Sequence, residues 1–123
     1  MDGRRPTIQS RHGMVAAAHP LAAQAGARLL IQGGNAFDAI AATAAALTVV
    51  EPFMSSLSGM GSATLWSAAE GRVSVLDFVP PIQRSFPAER FTQRSDLERG
   101  PHAVAMPGNL AGWCELVSRH GRK

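Results

Sequence analysis

Residues able to do chemistry are few in this sequence and widely spaced. Ser55, Ser56, Ser58 and Ser62 crowd one loop, where a serine nucleophile would need a base and an orienting carboxylate beside it. No Gly-x-Ser-x-Gly elbow surrounds them, so they read as turn residues. The four histidines, His12, His19, His102 and His120, include no i, i+4 pair able to grip a metal from one helix face. Gly59-x-Gly61 lacks the third glycine of a dinucleotide fingerprint, with Thr64 in its place, and Gly33-Gly34-Asn35 lacks the Gly-Lys-Ser/Thr end of a phosphate loop. Neither a metal nor a cofactor is expected. Two polar residues remain, Asp77 at the end of an alternating run and Arg84 in the segment after it. Strand ends and loops are where a rigid frame presents polar groups, and an arginine there can hold an anionic substrate through paired hydrogen bonds. A solvated strand terminus and a solvated surface cation fit the same two residues. Cys114 is the single cysteine, which rules out an internal disulfide and predicts a small buried apolar residue.

The elements that would have to position Asp77 and Arg84 follow from composition and pattern. With 123 residues the chain is at most one domain, small for a complete α/β enzyme. Hydrophobic residues at 46% and charged residues at 17% place it among chains that fold. Twelve basic against nine acidic residues leave a net charge of +3, with the arginines scattered among Asp and Glu, so nucleic acid is not an expected partner. The N-terminus carries no apolar run after Arg4-Arg5-Pro6, hence no visible secretory signal, and a cytoplasmic location is expected. The most apolar stretch, between Asp38 and Glu51, is well short of the ~20 residues that cross a bilayer, so no membrane association is expected.

Residues 1–12 read as a loosely attached arm and 13–123 as one segment. Met14-Val15-Ala16-Ala17-Ala18 predicts a short buried strand. His19-Pro20 opens a helix over 20–32, since proline suits a first helical turn, and Gly33-Gly34 closes it. Asn35 is a good N-cap and Asp38, three residues on, completes a capping box for a second helix that ends at Glu51-Pro52. That helix is apolar all round and so predicts packing on several sides, which leaves an isolated chain with exposed apolar surface and a tendency to associate. Alternating runs over 63–67 and 72–78 about Glu70-Gly71 predict an antiparallel hairpin. Residues 80–101, rich in proline and charge, predict a long surface connection. A third short strand is expected over 102–106, then a helix capped by Asn109 with Leu110, Trp113, Cys114 and Val117 on one face.

The order of these segments resembles the γ-glutamyltranspeptidase family at the start of its large subunit. The resemblance lies in Gly13-Met14-Val15-Ala16-Ala17-Ala18-His19-Pro20-Leu21-Ala22, then Gly33-Gly34-Asn35-Ala36-Phe37-Asp38-Ala39, then Val50-Glu51-Pro52. It continues through Ser58-Gly59-Met60-Gly61, Asp77-Phe78 and Ala103-Val104-Ala105-Met106-Pro107-Gly108. It implies an α/β (α+β) chain, part of the four-layer αββα sandwich of an N-terminal-nucleophile hydrolase made as a self-cleaving precursor. It also implies partners: the remainder of the large subunit, the small subunit whose first threonine is the nucleophile, and a small-molecule amide such as glutathione. None of Thr7, Thr43, Thr48, Thr64 or Thr92 matches that threonine, so no catalytic residue is assigned and the chain alone is expected to be inactive.

The sequence departs from the family where it matters for specificity. Transpeptidases usually carry, after Asp-Phe, an arginine that binds the glutamyl α-carboxylate, and Val79 stands at that place. Asp77, Val79 and Arg84 are thus the expected substrate-binding residues. An amidase or acylase with a non-glutamyl acyl group, and a truncated non-catalytic domain, are the alternatives to γ-glutamyl transfer.

Overall fold

A computed structural model of the chain describes residues 7–104 and 106–123. Its helices are α1 (Pro20–Ile31), α2 (Ala36–Val50) and α3 (Gly108–His120), and its strands are β1 (Ser62–Ser67) and β2 (Arg72–Asp77). Three short 3-10 turns, at Ala88–Arg90, Arg94–Leu97 and Pro101–Ala103, punctuate the connection from β2 to α3. The result is an α+β arrangement in which α1 packs on α2, α2 touches α3, and the hairpin leans on α3. Among the described residues no helix is long and apolar enough to cross a membrane.

The helix starts obey local rules. Pro20 occupies the first turn of α1, and His19 Nδ1 accepts the Leu21 N–H at 3.2 Å. Gly33, at φ +88°, turns the chain out of α1, a conformation that a β-carbon would oppose. The capping box of α2 forms as expected: Asn35 Oδ1 accepts from Phe37 and Asp38, and the Asp38 carboxylate accepts the Asn35 N–H at 2.8 Å. Helices α1 and α2 cross at Gly26. A β-carbon there would lie 2.7 Å from the Ala39 carbonyl and would strike the Thr43 hydroxyl, which is itself buried and donates to Ala39 O at 2.8 Å.

The hairpin pairs Ser62 with Asp77 through to Ser67 with Arg72. Leu65 is its buried residue, whereas Trp66 and Val73, opposite each other, face outward. The Phe78 N–H donates to Gly61 O at 3.0 Å and so carries the ladder one step past β2.

Asp38 does more than cap α2. It is 4% exposed, and the N–H groups of Arg122 and Lys123 reach its carboxylate at 3.0 and 3.3 Å. Asn35 Nδ2 donates to His120 O at 2.6 Å, and the Phe37 and His120 rings stack 5.0 Å apart. The two residues that start α2 therefore also hold the end of α3. Burial presses the Asp38 carboxyl upward, but the donors on Asn35, Arg122 and Lys123, with the Arg122 charge, outweigh it and hold the group below its ordinary value.

Several expectations fail, each for a physical reason. Residues 14–18 form no strand: β1 and β2 pair only with each other, and Val15 packs toward Gly26 of α1 instead. The strand expected over 102–106 is a 3-10 turn at Pro101–Ala103 followed by extended Val104, with Ala105 outside the described residues and a lone parallel bridge between Gly59 and Pro107. Asn109 is not the cap of α3, which begins one residue earlier after Pro107; its amide donates to Ser56 O at 2.9 Å. The buried face of α3 is Gly108, Gly112 and Leu116, so Cys114 is exposed rather than buried. Of the expected arm over 1–12, residues 1–6 lie outside the described residues, and 7–12 are exposed without helix or strand.

The expectation of exposed apolar surface holds. The chain exposes 9665 Å², against roughly 6,300 Å² for a compact monomer of its mass. Ile31, Val49 and Phe53 are all more than three-quarters exposed. Beside them Ala41, Ala42, Ala45, Leu110, Trp113 and Val117 line an open apolar hollow of about 590 Å³ between α2 and α3.

The lowered Asp38 value sets an acid limb of stability. A carboxyl depressed in the folded state contributes fully above its unfolded value near 3.9, and that contribution is lost as pH falls through the folded value. Asp38→Asn, which keeps an acceptor oxygen without the charge, should flatten this limb in thermal unfolding between pH 2 and 7. Asp38→Ala, which orphans the N–H groups of Asn35, Arg122 and Lys123, should cost about 1–3 kcal/mol at neutral pH. A limb unchanged in Asp38→Asn would refute the assignment.

Candidate functional site

The expected site lies where the chain leaves β2. Asp77 is exposed at the strand end, and its Oδ1 accepts the Val79 N–H at 3.0 Å, closing an Asx-type turn that sends the chain into Pro80-Pro81. Val79 is 53% exposed. Arg84 is exposed farther along the same loop. The structure thus joins Asp77 and Val79 through a hydrogen bond.

Beneath this turn the serine and glycine loop is tied to α3 through the backbone. Gly59, at φ +139°, donates to Met106 O at 3.1 Å, and Leu110 N–H donates to Leu57 O at 3.3 Å. The Ser56 hydroxyl donates to Ser58 O inside the loop. Pro80 to Gln83 and Phe86 form one side of a largely apolar cavity of about 680 Å³; Ser58 and Met60 contribute another, and Leu97 and 101–104 the third. Asp77, Val79 and Arg84 are not among its lining residues, although Pro80 directly follows Val79.

Three of the four histidines have structural partners. His19 caps α1, His120 stacks on Phe37, and His102 meets Phe91 at 4.9 Å beside Phe86. Among the described residues no group of three or more His, Cys, Asp or Glu is placed to hold a metal ion.

Phe78 is the residue that sequence reasoning missed. Its ring occupies a slot whose two walls are glycines. A β-carbon on Gly61 would lie 2.5 and 2.9 Å from Cε2 and Cζ at the ring's far edge, and one on Gly112 would lie 2.5 and 2.7 Å from the two Cδ atoms. Gly108 passes just as closely: its β-carbon would meet Phe78 O and lie 2.8 Å from Pro80 Cδ. A glycine inside a helix costs about 1 kcal/mol relative to alanine, so Gly112 was the available signal of a close approach.

A family model described as Gamma-glutamyltranspeptidase matches residues 22–123. The chain belongs to the gamma-glutamyltranspeptidase family. Among its curated relatives, the acylase ACY 1 proenzyme of Pseudomonas sp. (strain SE83) is 41% identical over 96% of this chain and 23% of its own length. The glutathione hydrolase proenzyme of Bacillus subtilis (strain 168) is 33% identical over 92% of this chain and 20% of its own. The crystal structure of Helicobacter pylori gamma-glutamyltranspeptidase superposes with a TM-score of 0.86 at 31% identity, covering 96% of this chain and 35% of that one. The chain therefore spans less than a quarter of the length of these curated relatives, and its helices and hairpin are a part of the gamma-glutamyltranspeptidase fold. Family members carry hydrolase or transferase activity, and their names attach to more than one kind of acyl substrate.

The Asp77 turn is directly measurable. Asp77→Ala should speed amide hydrogen exchange at Val79 several-fold with a stability cost of about 0.5–1 kcal/mol, whereas Asp77→Asn, which keeps the acceptor, should leave that amide protected. Equal protection in Asp77→Ala would show that the side chain does not hold the turn.

Proposed function

We propose that this chain supplies the N-terminal part of the large subunit of a self-processing amide acylase, and that Asp77, Val79 and Arg84 belong to the wall facing the acyl group. The observation that carries this reading is Val79, exposed at the place where transpeptidases usually present an arginine to the glutamyl α-carboxylate. A valine offers that carboxylate no charge-assisted contact, so it suits an acyl group that lacks one. The 41% identity to an acylase supports the same choice.

The nucleophile, on this reading, is the first threonine of a small subunit outside these residues, with its own α-amine as base. The local threonines support that placement. Thr43 is buried with its hydroxyl donated to Ala39 O, and Thr48 donates to Ala45 O at 2.7 Å, so both hydroxyls are spent on the helix backbone. The apolar hollow between α2 and α3 and the excess exposed surface suit a chain that is completed by further large-subunit and small-subunit layers. Alone, it lacks the attacking group and is inactive. Acyl transfer from γ-glutamyl amides such as glutathione is the second reading. It is favoured by the Bacillus relative and would assign the carboxylate to Arg84 in the same loop.

Matched donors separate the two. In the complete processed protein, a 4-aminobutyryl anilide, which is the γ-glutamyl anilide without its α-carboxylate, should be hydrolysed with kcat/KM at least equal to that of the γ-glutamyl compound. A guanidinium–carboxylate pair is worth about 1.5–3 kcal/mol, on the order of 10–100-fold. A γ-glutamyl preference of that size would overturn the acylase reading and establish the second.

A further inference from the structure

We infer that Phe78, seated between Gly61 and Gly112, is a positioning residue for acyl-donor recognition: the seat fixes where residue 79 meets the substrate. The inference rests on the reading that residue 79 belongs to the acyl-group wall.

Residue 79 is held loosely by its own side chain, which is half-exposed, and its N–H donates to Asp77 Oδ1 from two residues back. Its neighbours are fixed instead. Phe78 is held by its N–H on Gly61 O at 3.0 Å, by its ring in the glycine slot, and by its carbonyl against Gly108. Pro80 lies against Gly108 beside that carbonyl, and its ring constrains the backbone that follows Val79. Residue 79 therefore stands on a pedestal built from the end of β2 and the first two turns of α3. Both walls of the slot are backbone, which cannot step aside, so even one added methyl must displace the ring. A ring displaced at residue 78 carries residues 79 and 80 with it, and Pro80 borders the large cavity.

A side chain that merely filled space would affect folding and yield alone. A pedestal for a recognition residue affects substrate binding while leaving a distant nucleophile intact, since misplacement of about 1 Å is enough to weaken productive positioning. The two roles separate in kinetics.

The test uses the full-length protein after self-processing, with an acyl anilide donor and the yield of processed subunits as the folding control. Gly112→Ala should raise KM about fivefold or more with kcat within about twofold, the pattern of lost binding rather than lost chemistry. Phe78→Leu should raise KM by a smaller factor. Gly61→Ala should raise KM in the same way, and in the double variant Gly61→Ala/Phe78→Leu the leucine lacks the Cε2 and Cζ atoms that the Gly61 methyl would meet, so KM should fall back to that of Phe78→Leu alone. If Gly112→Ala fails to process, the rise in KM for Phe78→Leu alone decides the question. Unchanged KM in processed Gly112→Ala or in Phe78→Leu overturns the seat, as does a fall in kcat without a rise in KM that the double variant does not repair. Val79→Ala tests the underlying reading separately. If it changes KM while the seat variants do not, only the seat is wrong; if it leaves KM and donor preference unchanged, residue 79 is not in the wall and the inference falls with that reading.

Discussion

The tightest meetings between elements of this chain are at backbone distance, and they depend on residues with no β-carbon. Gly26 lets α1 cross α2 over Thr43, Gly112 and Gly61 admit the Phe78 ring, and Gly34 and Gly121 leave room for the Asp38 carboxylate. A β-carbon at Gly121 would lie 2.6 Å from Asp38 Oδ1, inside any tolerable contact. Many large side chains are left on outer faces, and among the described residues the buried hydrophobic ones are few: Ala22, Ala39, Leu65 and Leu116. Interiors packed at native density transmit small volume changes, and a core made of backbone contacts has no flexible side chain to absorb them.

The same constraint explains what was legible in the sequence. Capping chemistry and periodicity are local, so α1, α2 and the hairpin lie within a residue or so of where Pro20, the Asn35–Asp38 box and the alternating runs put them. In α3 the hydrophobic pattern puts Leu110, Trp113, Cys114 and Val117 on one face, which lines the open hollow beside α2, while the most deeply buried positions, Gly108, Gly112 and Leu116, carry too little pattern to be read from sequence. Strands at 14–18 and 102–106 were misread because a strand requires a partner, and pairing is not a local property. At the site, Asp77 and Val79 came from one motif and prove to be joined by a hydrogen bond, but Phe78 could be recognised only when Gly61 and Gly112, 51 residues apart, were brought to either side of it.

Two anchors then divide the work. The Asp38 carboxylate ties the start of α2 to the end of α3, and the Phe78 ring ties the end of β2 to the start of α3. Helix α3 is thereby held at both ends, and the chain between β2 and α3 runs over the cavity from a fixed origin. Membership of the gamma-glutamyltranspeptidase family gives this geometry a purpose. On the proposed acylase reading, a valine on a rigid pedestal in place of a flexible arginine would exchange recognition of a charge for an apolar wall.

The most direct test of that account is a crystal structure of the complete processed protein with an acyl donor trapped on its nucleophile. The account predicts the acyl chain within about 4 Å of the Val79 side chain, with the Phe78 ring still lodged between Gly61 and Gly112. An acyl chain bound away from residues 77–80, or a Phe78 ring swung out of its slot in the working enzyme, would contradict it.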